Sequence, residues 1–371
     1  MRAWWAGALF LAVAGAAITL ILSRPGAESS PERADAATYA RAWGGQRCAP
    51  PFSARRSPGA CWRPYGAASP FNQRLPPQPR VAAGSAAAVA ALTADGGPAP
   101  LVFGTTGSDE DWGHPIFWSR RSDPLFTVRC ARTDWGRCAI EGHRIRIPDA
   151  ARAAGGGDGH LAVVDQARGW EYDLWQVRSK PRGGGTIVVS WGGRTRFGPG
   201  SDGLGSDATA AHFGLLAGVL RPAELVAGSI RHALTVKIDC DGGFSVYPAM
   251  GRGAKCDDTA GAPPQGARFQ LTMSETEIRA LAAPRWKRAI LLAMARYGFF
   301  VEDTGGSPWD LAVESGASFK SFGRPDPWEI FARAAGAERE ADGDYRLDVA
   351  SGIDWRGRLR MIDTCVTRRT C

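Results

Sequence analysis

One stretch of the 371-residue chain is the most informative about the fold: GDGHLAVVDQARGWEYDLWQV, residues 157–177. It contains two runs of strand-forming residues, 160–165 and 170–177, separated by a four-residue loop, a pattern typical of a β-hairpin. If Asp165 pairs with Trp170, the alternation of side chains along each strand defines two faces. The predicted core face carries Leu161, Val163, Trp170, Tyr172 and Leu174, and the other face carries His160, Ala162, Val164, Glu171, Asp173 and Trp175.

The second face combines an imidazole, two carboxylates and an indole within roughly 10 to 15 Å. Cleavage of a glycosidic bond needs a proton donor and a second carboxylate or base, and an indole offers a flat apolar surface to a sugar ring. The hairpin therefore predicts a carbohydrate site in which Glu171 and Asp173 act as acid and base or nucleophile. His160 would position or transfer protons, and Trp175 would bind the sugar. The alternative is that these are ordinary polar residues of a solvent-facing sheet.

The other apolar runs are equally short and are bounded by turns, which the 47 glycines and 25 prolines supply. They predict strands at 101–103, 125–129, 144–147, 186–191, 234–238 and 268–271. Helical patterns occupy 85–92, 222–227, 285–297 and 327–335. Strands dominate without regular alternation with helices. This predicts a mainly β protein with a β-sandwich or jelly-roll-like core and a few peripheral helices.

The chain begins with an apolar segment that carries no charge between Arg2 and residue 23, long enough at about 1.5 Å per residue to cross a membrane. This predicts a signal anchor or signal peptide at 1–23. A tether rich in Pro, Ala and Arg is expected at 24–68, a globular domain at 69–350 and a C-terminal extension at 351–371. We therefore expect an extracytoplasmic protein, either secreted or held at the membrane through its N-terminal segment.

The eight cysteines are even in number and fall into four close pairs along the chain. The C-x-x-C and histidine spacings typical of zinc sites are missing from the sequence. Behind an export segment, this pattern predicts disulfides. The simplest pairing joins Cys48 to Cys61, Cys130 to Cys138, Cys240 to Cys256, and Cys365 to Cys371.

The formal net charge is +8, but the basic residues are scattered, with no run longer than a pair. This argues against nucleic-acid binding and leaves attraction to an acidic polymer open. The sequence has no G-x-S-x-G elbow, H-E-x-x-H, P-loop or strand-placed G-x-G-x-x-G, which argues against the usual serine hydrolases, zincins and nucleotide-binding enzymes. We therefore expect chemistry without a cofactor. The loop 201–207 is rich in Gly and Asp but lacks the spacing of a calcium loop.

Six motifs spread over residues 70–350 are distinctive: GDGHLAVVD (157–165), EYDLWQ (171–176), GVLRPAELVAGSIRHAL (218–234), VYPA (246–249), APPQGARFQL (262–271) and ARYGFFVEDTGG (295–306). Together they resemble the motifs of a largely uncharacterised family of secreted bacterial and fungal β-rich proteins. The resemblance implies an extracytoplasmic β-rich fold. It supplies no reaction, because no activity is established for that family.

The resemblance also implies further site residues, since these fall in matching motif positions: His114, Asp158, His160, Asp165, Asp173, Asp207, Glu224, His232, Arg268, Tyr297 and Asp303. His232 and Asp303 join the predicted catalytic set. Arg268 is expected to meet an acidic sugar group, and His114 to contact the substrate. For His232, the alternative is a buried histidine that bonds to a backbone carbonyl. His212 departs from the family pattern, in which a glycine is expected.

Together these features predict an extracytoplasmic carbohydrate-active enzyme that cleaves a cell-wall or extracellular polysaccharide. It would act as a glycoside hydrolase or, on a uronic acid polymer, as a polysaccharide lyase. Two other functions stay open: a non-catalytic surface module that binds a wall glycan through Trp175, and a structural envelope protein. Acidic groups converging in one cleft would favour the enzyme, and scattered aromatic residues without an acid pair would favour the binding module.

Overall fold

The computed structural model describes residues 47–103, 113–206, 208–257, 261–306 and 308–371. The predicted membrane segment at 1–23, the first half of the predicted tether and Asp207 lie outside these described residues. Within them, no helix is both long and apolar enough to cross a membrane.

The protein is mainly β with a few helices, as the sequence predicts. The strands are β1 Leu101–Phe103, β2 Ile116–Ser119, β3 Leu125–Cys130, β4 Arg144–Arg146, β5 Leu161–Asp165, β6 Trp170–Ser179, β7 Gly185–Arg196, β8 Leu234–Ile238, β9 Arg268–Leu271, β10 Phe299–Thr304, β11 Trp309–Leu311, β12 Tyr345–Leu347 and β13 Leu359–Ile362. The helices are α1 Ser85–Leu92, α2 Pro222–Ala227, α3 Glu275–Ala280, α4 Arg285–Arg296, α5 Ala317–Lys320, α6 Pro327–Ala334, α7 Trp355–Arg358 and α8 Thr364–Arg368. A 3₁₀ turn spans Pro70–Asn72. All four predicted helices are present within one residue of their expected ends.

The strands form two large mixed sheets and one small one. The first has the order β2-β5-β6-β7-β3-β4 and the second the order β11-β8-β10-β9-β13, while β1 pairs with β12. Three neighbouring pairs are parallel: β2 with β5, β3 with β7, and β8 with β10. Jelly rolls and immunoglobulin-type sandwiches are built from antiparallel strands, so the finer part of the predicted fold class is not confirmed.

The predicted hairpin is confirmed, with β5 antiparallel to β6 and Asp165 opposite Trp170. Its predicted core face is buried except at Trp170, which is half-buried, and Leu161 and Leu174 pack in one apolar cluster. The other face is also buried along most of its length. Ala162 and Val164 pack in a second cluster that includes Phe300 of the second sheet. The second sheet thus covers a face that the sequence left open as solvent-facing.

The layer between the two large sheets is filled by an irregular segment of turns, residues 208–219. Phe213 from this segment meets Phe71 edge to face, with ring centroids 5.0 Å apart, and both contact Phe300. On the far side of the second sheet, helix α4 buries one apolar stripe, including Ile290, in the largest core cluster. The first sheet therefore has core on both faces, as does the second.

The structure extends the globular domain beyond both predicted boundaries. Phe52 and Trp62, placed by the sequence in the tether, are buried against Trp118 with ring centroids 4.9 and 5.3 Å away. At the other end, Trp355 is buried and β13 pairs with β9 in the second sheet. Aromatic burial and sheet pairing therefore make 47–68 and 351–371 parts of the body.

All four predicted disulfides are present: Cys48–Cys61, Cys130–Cys138, Cys240–Cys256 and Cys365–Cys371. Four bridges in one chain are typical of an oxidising, extracellular-type environment. Among the described residues, no three His, Cys, Asp or Glu side chains are grouped so that they could hold a metal ion.

Candidate active site

A cavity of about 770 Å³ opens where the His160 and Trp175 end of the hairpin meets the second sheet. Indoles, cations, carboxylates and imidazoles share its lining, which comprises Trp135, Arg137, Asp158, His160, Trp175, Trp191, Ala208, Thr209, Ala210, His212, Lys237, Arg252, Gly253, Ala254, Asp303 and Thr304. A mainly polar cavity of this size with an aromatic wall suits a hydrophilic ligand with flat apolar faces.

Two disulfide-closed loops form parts of the wall. The loop closed by Cys130–Cys138 carries Trp135 and Arg137. The loop closed by Cys240–Cys256 carries Arg252 and its neighbours. Inside the second loop, the buried Asp241 carboxylate accepts backbone N–H bonds from Gly243 and Gly253, each 2.7 Å long. The cavity walls are thus fixed by covalent bonds and by a buried carboxylate.

Three tryptophans make an aromatic platform in this cavity. Trp135 stacks on Trp175 with ring centroids 5.2 Å apart and an interplanar angle of 21°, and meets Trp191 edge to face at 5.6 Å. Trp135 is 52% exposed, an unusual fraction for so large an apolar side chain. The Arg132 guanidinium lies 3.7 Å from the centre of the Trp135 ring and orients it.

Asp158 and His160 lie next to this platform, on the glycine-rich segment that leads into β5. The Trp175 indole N–H donates to Asp158 Oδ1 over 2.9 Å, and Asp158 Oδ2 lies 4.0 Å from His160 Nε2. Burial lowers the pKa of His160 to about 4, against the opposing charge of Asp158. The imidazole is therefore neutral near pH 7 and able to accept a proton.

His114 lies behind His160 and does not line the cavity. The two rings are 4.9 Å apart at 59°, and His114 is buried. Burial, with a contribution from His160, holds the pKa of His114 well below its ordinary value. His114 therefore supports His160 from behind and does not reach the cavity, where the sequence placed it in contact with substrate.

Asp303 reaches the cavity from the second sheet because β10 contains a bulge. The register with β8 shifts between Val301 and Asp303, which leaves Glu302 as the extra residue and sets Asp303 opposite Lys237. Asp303 accepts backbone N–H bonds from Thr304 and Ala210, at 2.8 and 3.3 Å. Asp303 therefore lines the cavity, whereas the neighbouring Glu302 is buried and does not line it.

Burial is the main cause of the raised pKa values of both bulge carboxylates. The pKa of Asp303 rises to about 6, with the positive charge of Lys237 opposing and the charge of Asp158 adding to the rise. The pKa of Glu302, which is fully buried, rises to about 8 against the effect of Lys237. Asp303 thus exchanges its proton in the pH range where a general acid works, while Glu302 stays protonated at neutral pH.

The predicted pair Glu171 and Asp173 does not line the cavity. Both side chains are fully buried between the sheets. Glu171 accepts hydrogen bonds from the Tyr65 hydroxyl and the Leu216 backbone, each 2.7 Å long, and Asp173 accepts from the Leu215 N–H at 3.3 Å. Burial raises the pKa of both carboxyls. Their contacts hold the segment between the sheets in place.

His232 and Arg268 also lie away from the cavity, each with its polar atoms occupied. His232 lies 2.8 Å from the Ala233 carbonyl through Nδ1 and 2.9 Å from Glu224 through Nε2, so the alternative of a bonded buried histidine describes it. Buried Arg268 donates to the Tyr297 carbonyl over 2.9 Å. Neither is placed to act on a ligand in the cavity.

Several cavity residues were missed or undervalued by sequence reasoning. Lys237 breaks the apolar strand LTVKI, and a lysine inside a buried strand was a usable signal. Trp135 and Arg137 lie between two paired cysteines, which marks an ordered loop. His212 has a φ of 60°, in the left-handed region that favours glycine, and it lines the cavity.

No family model, curated protein or solved structure matches the chain. The resemblance to the family of secreted β-rich proteins therefore stays a prediction. The function has to be inferred from the chemistry of the cavity.

Proposed function

We propose that this protein is an extracytoplasmic carbohydrate-active enzyme, secreted or held at the membrane, that cleaves a cell-wall or extracellular polysaccharide in the cavity. The observation that carries the proposal is the meeting of three features in one cavity. The Trp135–Trp175 platform, the carboxyls Asp158 and Asp303, and the neutral imidazole of His160 all line it.

Sugar binding is assigned to the platform and to the cations around it. A pyranose or furanose ring can lay its C–H face against the exposed part of the tryptophan platform, in which Trp135 is half exposed. Arg137 and Arg252 lie on the two disulfide-closed walls and carry charge toward the same space. This balance favours a glycan with carboxylate groups over a neutral one.

Hydrolysis follows from the two carboxyls that line the cavity. Asp303, with its pKa raised to about 6, donates its proton to the bridging oxygen as the bond to the anomeric carbon breaks. Asp158 accepts the proton of the water that attacks the anomeric carbon, or attacks that carbon itself. In this proposal, Asp158 and Asp303 take the roles that the sequence gave to Asp173 and Glu171.

Elimination is the second candidate reaction, and the position of His160 in the cavity beside Lys237 favours it. In this reaction the imidazole of His160 removes the proton next to a uronate carboxylate, whose charge Lys237 and the two cavity arginines partly neutralise. The electron pair left by that proton forms a carbon–carbon double bond as the bridging oxygen departs. Asp303 then protonates the departing oxygen.

Product analysis of the purified chain on neutral and acidic polysaccharides tests the proposal. New reducing ends without unsaturation indicate hydrolysis, and unsaturated uronates detected by ultraviolet absorbance indicate elimination. Asp303→Asn should lower the rate of formation of either product about a hundredfold, whereas Asp239→Asn, at an exposed aspartate that does not line the cavity, should leave it unchanged.

Two results would overturn the assignment. Equal cleavage by Asp303→Asn and the unaltered protein would mean that the chemistry lies elsewhere. If no polysaccharide is cleaved, but an insoluble glycan retains the protein and Trp135→Ala weakens that retention, the protein is the non-catalytic binding module.

A further inference from the structure

A second aromatic and basic surface lies at the other end of β6, centred on Trp170. The guanidinium carbons of Arg194 and Arg196 lie 4.2 and 3.9 Å from the centre of the Trp170 ring. Trp170 is opposite Arg196 in the register of β6 and β7, and Tyr172 is opposite Arg194. Both arginines therefore lie on the face of the sheet that carries Trp170.

A third arginine, Arg168, adjoins this pair. Arg196 donates from Nη1 to the carbonyl of Arg168 over 3.2 Å, and Arg168 donates to the carbonyl of Arg144 over 3.4 Å. These bonds to neutral carbonyls orient the guanidiniums without cancelling their charge. Within the described part of the chain, neither Arg194 nor Arg196 forms an ion pair.

The carboxylates near this surface are fewer than its cations. Asp165 lies 3.7 Å from Arg168, and Asp202 lines the adjoining cavity. Two carboxylates thus stand against the three arginines Arg168, Arg194 and Arg196, and the surface keeps a positive balance. The charge of Arg194 also contributes, after burial, to a lowered pKa of His143 nearby.

A separate cavity of about 470 Å³ adjoins these side chains and is lined by Trp170, Arg194 and Arg196 together with residues of the 199–204 loop. It shares no lining residue with the candidate active site. Trp170 precedes Trp175 by five residues on β6, which places the two indoles roughly 17 Å apart along the strand and on opposite faces.

We propose that the surface formed by Arg168, Trp170, Arg194 and Arg196 is a second binding site, for an anionic polysaccharide that carries carboxylate or sulfate groups. Guanidinium groups bind such anions through paired N–H donors, and an indole held between them offers a flat face to the sugar ring. That the anion is borne by a glycan rests on the proposed function. The four disulfides agree with it, because the oxidising compartment they indicate holds such polymers.

A second site changes how the protein meets a long polymer. One chain of the polymer can occupy the Trp170 surface while another chain, or a distant part of the same chain, enters the active-site cavity. Linked binding events of this kind raise the overall affinity without any new contact at either site. A short oligosaccharide cannot span both sites, so its turnover does not depend on this surface.

The test compares two double variants of the full chain. Arg194→Gln/Arg196→Gln removes both charges and keeps the side-chain length, and Arg152→Gln/Arg182→Gln removes two exposed charges elsewhere. Binding to polygalacturonate, to a sulfated glycan, to a neutral glucan and to duplex DNA is measured at several salt concentrations. Thermal unfolding of each variant shows whether it is folded.

We expect the Arg194/Arg196 variant to bind one of the acidic glycans roughly tenfold or more weakly, with a smaller salt dependence, while the control variant binds normally. The glycan that is affected identifies carboxylate or sulfate as the anion. Arg196→Lys keeps the charge but lacks the planar guanidinium group. This variant should therefore lose only part of the affinity that the Arg194/Arg196 variant loses.

Equal binding of acidic glycans by the two double variants would overturn the proposal, as would a loss confined to DNA. The outcome is independent of catalysis. A loss of glycan retention in a protein that cleaves no polysaccharide would refute the proposed function and leave this site standing. Cleavage of a polysaccharide, together with unchanged glycan retention in the Arg194/Arg196 variant, would refute the second site and leave the proposed function standing.

Discussion

Replacing Glu302 with glutamine removes a buried titrating group beneath the cavity and keeps the shape of the side chain. Burial raises the pKa of Glu302 from 4.5 to about 8, so the folded protein keeps this proton up to about pH 8. The unfolded chain releases it near pH 4.5. Between these values the native state binds more protons than the unfolded state, and the free energy of unfolding therefore falls as the pH rises.

The size of this effect follows from the two pKa values of Glu302. The stability contributed by its protonated form is fully present below about pH 4 and is lost as the pH rises through 8. Each pH unit in that window costs about 1.4 kcal/mol. Between pH 5 and pH 9, the unfolding free energy of Glu302→Gln should therefore gain about 4 kcal/mol relative to the unaltered protein.

Urea denaturation followed by circular dichroism at pH 5, 7 and 9 measures the difference. Glu171 and Asp173 also have raised pKa values, but they are present in both proteins and cancel in the comparison. Glu338→Gln, at an exposed glutamate, is the control and should shift the curve little at any pH. A constant offset between Glu302→Gln and the unaltered protein from pH 5 to 9 would refute the reasoning.

Three further predictions concern the cavity. Asp303→Asn should lower kcat about a hundredfold. The unaltered enzyme should lose activity as the pH rises through about 6, because Asp303 must be protonated to act as an acid. If the variant kept the same pH profile, this role of Asp303 would be contradicted. Trp135→Ala should raise KM for a polymeric glycan about tenfold with little change in kcat, as measured by initial rates, whereas an effect on kcat alone would contradict a binding role. Cys130→Ser/Cys138→Ser should cost about 2 to 3 kcal/mol in urea denaturation and should also weaken glycan binding measured by calorimetry. Unchanged glycan affinity in that double variant would show that the loop closure does not position Trp135.

Local features of the fold could be predicted because they depend on neighbouring residues. The alternation between 160 and 177 gave both strands of the hairpin and the pairing of Asp165 with Trp170. Glycines at 298 and 336 correctly marked where two helices end. Close spacing of the cysteines gave all four bridges, because each bridge closes a short loop.

The candidate site was harder to predict because it depends on what covers the hairpin. Alternation places Glu171 and Asp173 on one face, but it does not show that the 208–219 segment and a second sheet bury that face. His160 lies at the end of the hairpin and lines the cavity, while its role in proton transfer stays a prediction. Polar residues of one hairpin therefore differ in their surroundings: Glu171 and Asp173 are buried between the sheets, and His160 lines the cavity.

The position of Asp303 could not be read from its own strand. It faces Lys237 because β8 and β10, which are far apart in sequence, pair in parallel, and because Glu302 is inserted as a bulge. Of these two carboxyls, Asp303 lines the cavity and Glu302 is buried away from it. The family resemblance marked Asp303, but the geometry that raises its pKa depends on the register.

The way the cavity is built bears on how its residues act. Its floor consists of strand residues such as Lys237 and Asp303, and its walls are loops closed by disulfides. Groups held in this manner need little reorganisation when charge develops on a bound molecule. The raised pKa of Asp303 and the distance from Asp158 to His160 are therefore set before a ligand enters. A loosened wall should consequently harm binding through Trp135 while leaving the pKa of Asp303, and the pH at which activity falls, largely unchanged.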